Sequence, residues 1–286
     1  MRATPITGHT RVFGLVGHPV RHSLSPAMYN TLFAQFGIDA VYLAFDVHPD
    51  ESERVADMIR VMGLIGVNLT VPFKERIVDG LDGLTAAAQE SGAVNVVTQI
   101  DGSLMGYNTD GEGFVRSLEE EGGPNPEDLH AVILGAGGAA RAVASGLLDR
   151  GASKITFLNR TKSRAVQAAE ALGAGFPEAS FDIRSLDATA FADAATSAQL
   201  VVNCTSGPAS DVVAGFDVGT LAQTASWVDI NYWMQHPPGQ DACKEAGIRF
   251  HDGLGMLAHQ GALAFELFTG HPVTGSEIRR FLEQSG

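Results

Sequence analysis

The sequence predicts an α/β protein of two domains with largely parallel sheets. Three observations carry that reading. Strand-like apolar runs alternate with helical ones through nearly all of the 286 residues. The texture changes at "EGGPNPED", residues 121–128, a Gly/Pro/acidic stretch suited to a loop or linker. The length itself strains a single hydrophobic core.

The elements follow in order. "RVFGLVG" reads as a strand, and "SPAMYNTLFAQFG" as a helix with Ser25 as N-cap and Pro26 at its first position. Its apolar residues fall at 28, 29, 32, 33 and 36, and Gly37 ends it. "AVYLAFDV" is a second strand, "SERVADMIRVMG" a helix and "LIGVNLTV" a third strand. Pro72 then suits the opening of a short amphipathic helix, "FKERIVDGLDGL", which puts Lys74 in the first turn. That is the end of a helix where a cation is least favoured. "AVNVVTQIDGSLMGYN" is a hairpin turned at Asp101-Gly102. Beyond the linker, "HAVILGAGGAARAVASGLLDRGASKITFLNRT" forms a strand–turn–helix–strand unit. The stretches 180–186 and 207–220 fit no single pattern. "LAHQGALAFELFTG", apolar at 257, 258, 262, 263, 265, 267 and 268, predicts a helix that packs back on the first domain. The expected domains are therefore 1–112 completed by 254–286, and 113–253.

Composition bounds the function. Nineteen Lys and Arg stand against 33 Asp and Glu, a net charge of −14, which would repel nucleic acid and anionic membranes. An anionic small molecule must be held by a few local cations. No apolar run is long enough to span a bilayer, and the N-terminal segment has no continuous apolar core of the signal-peptide kind. Cys204 and Cys243 imply neither a metal site nor a disulfide framework, so the cytoplasm is the expected address. Monomer and homodimer both remain open.

The glycine turn gives the cofactor signal. "LGAGGAARA" supplies Gly135, Gly137 and Ala140 in a G-x-G-x-x-A pattern directly after the apolar run 131–134. Gly135 permits the tight turn, Gly137 lets the backbone approach a pyrophosphate, and Ala140 allows close helix–strand packing. The helix N-terminus then stabilises phosphate charge. An NAD site usually carries an acid at the tip of the next strand. Here the tip reads "NRTKSR", with Arg160, Lys162 and Arg164 and no acid. Guanidinium groups bind phosphate in bidentate fashion, so the cluster points to the 2′-phosphate of NADP.

The first half carries polar clusters at strand ends: "HSLSP", "NLTVPFK", "GAVN" and "GYNTDGEGF". Taken in order with "GAGGAARA", "NRT", "NCTS" and "DGLGMLAHQGALAF", these segments resemble the shikimate dehydrogenase family. The resemblance implies a substrate domain and a Rossmann-type NADP-binding domain separated by a cleft, with a C-terminal helix returning to the first. It implies reversible, NADPH-dependent reduction of 3-dehydroshikimate to shikimate. Lys74 and Asp110 match the family's catalytic pair, with Lys74 as acid/base. Ser23 and Ser25 match carboxylate-binding serines. Asn68, Thr70, Asn95, Asp110 and Gln260 match groups that hold ring hydroxyls, and Tyr232 matches a tyrosine near the substrate. Cofactor contacts are implied at Gly135, Ala136, Gly137, Gly138, Ala139, Asn159, Arg160, Thr161, Arg164, Thr205 and Gly253. A helix N-terminus and a desolvated cleft would both weaken the charged form of the amine, which suits a proton donor. The segment "WMQHPPGQDACKEAG" after Tyr232 departs from the more regular family pattern.

Other readings find less in the residues. His18 and His22 are four apart but have Pro19 between them, and no G-x-S-x-G motif is present. A dehydrogenase of quinate or an amino-substituted analogue would share these motifs. A catalytically silent NADP-binding module would be expected to lack Lys74 or Asp110.

Overall fold

The computed structural model describes residues 5–285, which divide into two compact units. One runs to Thr109 and resumes at Ala258; the other comprises Asp110–Leu257.

In the first unit the order is β1 (Arg11–Gly17), α1 (Ser25–Gln35), β2 (Ala40–Asp46), α2 (Val55–Val61), β3 (Gly66–Leu69), α3 (Phe73–Arg76), β4 (Gly83–Leu84), α4 (Ala86–Ser91), β5 (Val96–Ile100) and β6 (Ser103–Tyr107). A short 3-10 segment, Pro49–Arg54, precedes α2, so the helix expected from Ser52 begins as the tighter form. The sheet order is β2-β1-β3-β5-β6-β4. β2, β1 and β3 run parallel, whereas β5 is antiparallel to both β3 and β6. The sheet is therefore mixed, because the tight turn at Asp101 (φ 50°) and Gly102 (φ 83°) returns the chain directly beside itself. β1 is buried on both faces, as a central strand should be. Val16 packs with Val67, Leu69, Phe73 and Val97 on one face. On the other, Phe13 meets Phe33 and Phe268 with ring centroids 5.2 and 5.4 Å apart. Phe268 belongs to the helix Leu254–Thr269, so the C-terminal segment completes this core.

The second unit contains α5 (Asp110–Glu120), β7 (His130–Leu134), α6 (Gly138–Asp149), β8 (Lys154–Leu158), α7 (Lys162–Gly175), β9 (Ser180–Arg184), α8 (Ala188–Ala195), β10 (Leu200–Asn203), α9 (Pro208–Val213), β11 (Ser226–Asp229), α10 (Gln240–Ala246) and β12 (Arg249–His251). α11 (Leu254–Thr269) passes from this unit to the first, which ends with α12 (Gly275–Ser285). All six strands are parallel in the order β12-β11-β10-β7-β8-β9. β7, β10 and β11 are buried throughout, with apolar clusters on both faces. The two stretches without a clear pattern hold β9 and α9. Helices α5 and α6 touch backbone to backbone: a Cβ on Gly146 would stand 2.6 Å from the Gly111 carbonyl carbon and oxygen.

No helix among the described residues is long and apolar enough to cross a membrane.

Candidate functional site

In the first unit the polar residues gather where β1 and β3 leave the sheet and the antiparallel β5 enters it. Asn68, the third residue of β3, pairs in register with Leu15 on one side and Val96 on the other. It is buried, so its amide needs partners. The Tyr42 hydroxyl donates to its Oδ1 at 2.8 Å, and its Nδ2 donates to the Asn95 carbonyl at 3.3 Å. Asn95 in turn donates from Nδ2 to the Thr109 hydroxyl at 2.8 Å and to Gln260 Oε1 at 3.4 Å. Its Oδ1 accepts the Thr109 N–H at 2.8 Å. Asn68, Asn95 and Gln260 are thus brought together from three distant parts of the chain. Thr70 follows β3, with its N–H on the Val16 carbonyl at 2.9 Å. Its methyl lies against Gly17, where any Cβ would collide with it.

Two local expectations need correction. Ser25 is not the N-cap of α1 but its first residue; the preceding Leu24 already has helical backbone angles. The chain turns one residue early because the Ser23 N–H closes on the Val20 carbonyl at 3.1 Å. Ser23 Oγ then accepts the Ser25 N–H at 3.2 Å and supplies the capping contact.

The short helix expected over 73–84 is shorter still, and Lys74 lies on a single turn. Pro72 (φ −100°) lies just ahead of α3, which ends after one turn at Arg76, and a 3-10 turn over Val78–Gly80 follows. Asp82 draws the chain away: it accepts the Leu104 N–H at 2.7 Å and pairs with Arg60 at 2.9 Å. These contacts hold its carboxyl below the ordinary range, the Leu104 bond foremost. One turn of helix carries little macrodipole, so the electrostatic cost expected for Lys74 largely falls away. The Lys74 backbone is fixed instead by its carbonyl, which accepts the Val94 N–H at 2.8 Å.

In the second unit a glycine turn leads from β7 into α6. Gly135 has φ 108°, a conformation that favours glycine, and a Cβ there would lie 3.2 Å from the Cys204 carbonyl. The buried Ala136 follows, and Gly137 caps α6 in an extended conformation. Gly138 and Ala139 form the helix's first turn with their side facing partly to solvent, while Ala140 packs into the core. The backbone N–H groups of this terminus, with no bulky side chain in the turn, fit a pyrophosphate. At the tip of β8, Asn159 donates its N–H to the Arg184 carbonyl at 3.1 Å and its side-chain amide to the Thr161 carbonyl at 2.8 Å. Thr161 caps α7, and Arg160, Lys162 and Arg164 are exposed around it.

Asp110 is the first residue of α5 and of the second unit, and is only 3% exposed. Thr205 is buried after β10, Tyr232 half-buried after β11, and Gly253 buried after β12. Sequence reasoning missed Tyr42, Thr109, Asn203, Asp229 and Asn231. The available signal was a polar residue closing an apolar run, as in "LVVNC" and "WVDIN". His18 pairs with Asp46 at 2.7 Å, and no group of three His, Cys, Asp or Glu suited to a metal occurs among the described residues.

Comparisons with known proteins match each part of this layout. A family model described as the shikimate dehydrogenase substrate binding domain covers residues 15–97. One for shikimate / quinate 5-dehydrogenase covers 118–230, and one for the shikimate 5'-dehydrogenase C-terminal domain covers 253–273. The shikimate dehydrogenase (NADP(+)) of Symbiobacterium thermophilum is 41% identical over 94% of this chain and 92% of its own. The crystal structure of shikimate 5-dehydrogenase from Thermus thermophilus, in complex with NADP(H) and shikimate, superposes with a TM-score of 0.81 at 33% identity. That likeness covers 96% of this chain and 100% of the other. Quinate dehydrogenase from Corynebacterium glutamicum, in complex with NAD, gives 0.82 at 28% identity over 96% and 99%.

Proposed function

The chain belongs to the shikimate dehydrogenase family, and from that premise we propose that it reduces 3-dehydroshikimate reversibly to shikimate with NADPH. It is an oxidoreductase of the shikimate route to aromatic amino acids on this reading. The unit ending at Thr109 and completed from Ala258 is the substrate domain, and Asp110–Leu257 the dinucleotide domain. The observation that carries the cofactor choice is the tip of β8, where Arg160, Lys162 and Arg164 stand exposed and no acid takes the place expected for NAD.

When bound, the reduced nicotinamide supplies a hydride to the substrate carbonyl carbon. The chain's part is to bind, orient and move a proton. Ser23 and Ser25 hold the carboxylate, while Asn68, Thr70, Asn95 and Gln260, with Tyr232, hold the ring and its hydroxyls. Lys74 Nζ gives a proton to the developing alkoxide and takes it back in oxidation, with Asp110 as second member of the pair. Gly135, Ala136, Gly137, Gly138 and Ala139 cradle the pyrophosphate. Asn159, Arg160, Thr161 and Arg164 take the 2′-phosphate end, and Thr205 and Gly253 the nicotinamide end. A cytoplasmic address fits two cysteines that no disulfide joins.

The quinate dehydrogenase likeness keeps one second reading in view, in which quinate replaces shikimate. Steady-state comparison of shikimate and quinate, each with NADP and NAD, tests both. The expected result is the highest kcat/KM for shikimate with NADP; a higher value for quinate or for NAD would reassign the enzyme. In the same assay Lys74→Ala should lower kcat by about 10²- to 10⁴-fold with substrate KM nearly unchanged.

A further inference from the structure

Strands β10 and β11 run side by side with Asn203 opposite Asp229, so both leave the sheet at the same level. Both side chains are fully buried, where an unpaired polar group is costly and an unpaired charge more so. Asp229 Oδ2 accepts the Asn203 amide N–H at 2.7 Å. Its Oδ1 accepts the backbone N–H of Asn231 at 2.9 Å and that residue's side-chain N–H at 2.7 Å. Asn203 Oδ1 accepts the N–H and hydroxyl of Thr205 at 3.0 and 2.7 Å. Asn231 closes the ring by donating to the Thr205 carbonyl at 2.9 Å.

The ring reaches further than its four members. A Cβ at Gly253 would lie 2.5 Å from the Ile230 carbonyl oxygen and 3.0 Å from that of Asp229. The turn after β12 is therefore packed on the same corner. Gly135 backs onto the Cys204 carbonyl, between Asn203 and Thr205. Four loops, bearing Gly135, Thr205, Tyr232 and Gly253, thus meet around one buried carboxylate. Burial pushes that carboxyl up, and its three N–H donors pull it back. Stability alone does not call for such a group, since a buried charge replaced by apolar atoms is often neutral or stabilising.

We propose that Asp229 is a positioning residue, whose carboxylate fixes the loops after β10 and β11 in the shape that NADP requires without touching the cofactor. The inference rests on the dinucleotide reading above. Asp229 acts through Asn203, which aims the Thr205 hydroxyl and N–H, and through Asn231, which sets the backbone leading to Tyr232.

The test is Asp229→Asn against the reciprocal double variant Asp229→Asn/Asn203→Asp. In the single variant an amide NH₂ faces the NH₂ of Asn203, so one bond becomes a donor–donor clash. In the double variant acceptor and donor have changed places, and each hydrogen bond of the ring can form again. NADPH binding is read by fluorescence titration, alongside kcat at saturating ligands and thermal unfolding. Asp229→Asn should weaken NADPH binding by about tenfold or more, with a smaller rise in shikimate KM through the loop that carries Tyr232. The double variant should recover affinity to within about threefold of wild type. Affinity unchanged in Asp229→Asn, even with a lowered unfolding temperature, overturns the proposal, as does a double variant no better than the single. A wild-type chain that binds neither NADPH nor NADH would overturn the dinucleotide reading itself.

Discussion

His130 shows how a single buried ring couples the fold to pH. It opens β7 with Nδ1 at 3.1 Å from the Ser197 carbonyl and Nε2 at 2.9 Å from the Thr156 hydroxyl. Burial foremost, then the charge of Lys154, holds it below the ordinary histidine value; Ser197 and Asp182 pull the other way, and Arg184 adds to the lowering. The folded state thus prefers the neutral ring. A depressed histidine contributes stability that is complete above its unfolded value, about 6.5, and lost as pH falls below it. Urea midpoints at pH 7.5 and 5.5 should show this loss, and His130→Asn should make the fall shallower. Residues of this kind were only partly legible in the sequence. Gly37, Gly102 and Gly135 announce themselves, since each adopts positive φ where a turn demands it. Tyr42 and Asp229 do not, because their roles come from side chains that meet them across 26 positions.

Elements were legible where periodicity and length agreed. Strands β1, β2, β7 and β8 and helices α1, α6, α7 and α11 are long enough for pattern to outweigh local accident. α3 failed that test: its apolar spacing continues to Leu84, yet Asp82 and the Gly80–Gly83 segment pull the chain into β4. The polar-flanked β9 is a half-buried edge strand and leaves only a weak trace in sequence. The crossing of α5 and α6 rests on Gly111 and Gly146, at which a Cβ would overlap the facing backbone. Gly146→Ala should therefore destabilise the protein by about 1–3 kcal/mol, despite alanine's better helix propensity. Urea unfolding measures it; a midpoint at or above wild type would show that the helices separate at no cost.

At the scale of the molecule, the chain leaves its first unit at Thr109 and returns to it at Ala258. From the sequence such a return is an expectation, resting on the apolar C-terminal helix. What it buries is specific: Phe265 and Phe268 stack among Tyr29, Phe33 and Phe13, and the Tyr29 hydroxyl donates to the Gly261 carbonyl at 3.3 Å. Truncation after Leu257 should abolish shikimate binding while more of the NADPH affinity survives, because only the first unit loses core. Parallel titrations of the two ligands check this, and equal loss of both would count against it.

The glycine-to-glycine crossing has a consequence for evolution and engineering. It sets the start of the helix headed by Asp110 backbone against backbone with the one that follows the turn at Gly135. A transplanted second unit must then carry its own copy of that acid, and a recombination joint placed downstream of position 110 would splice two mismatched backbones together.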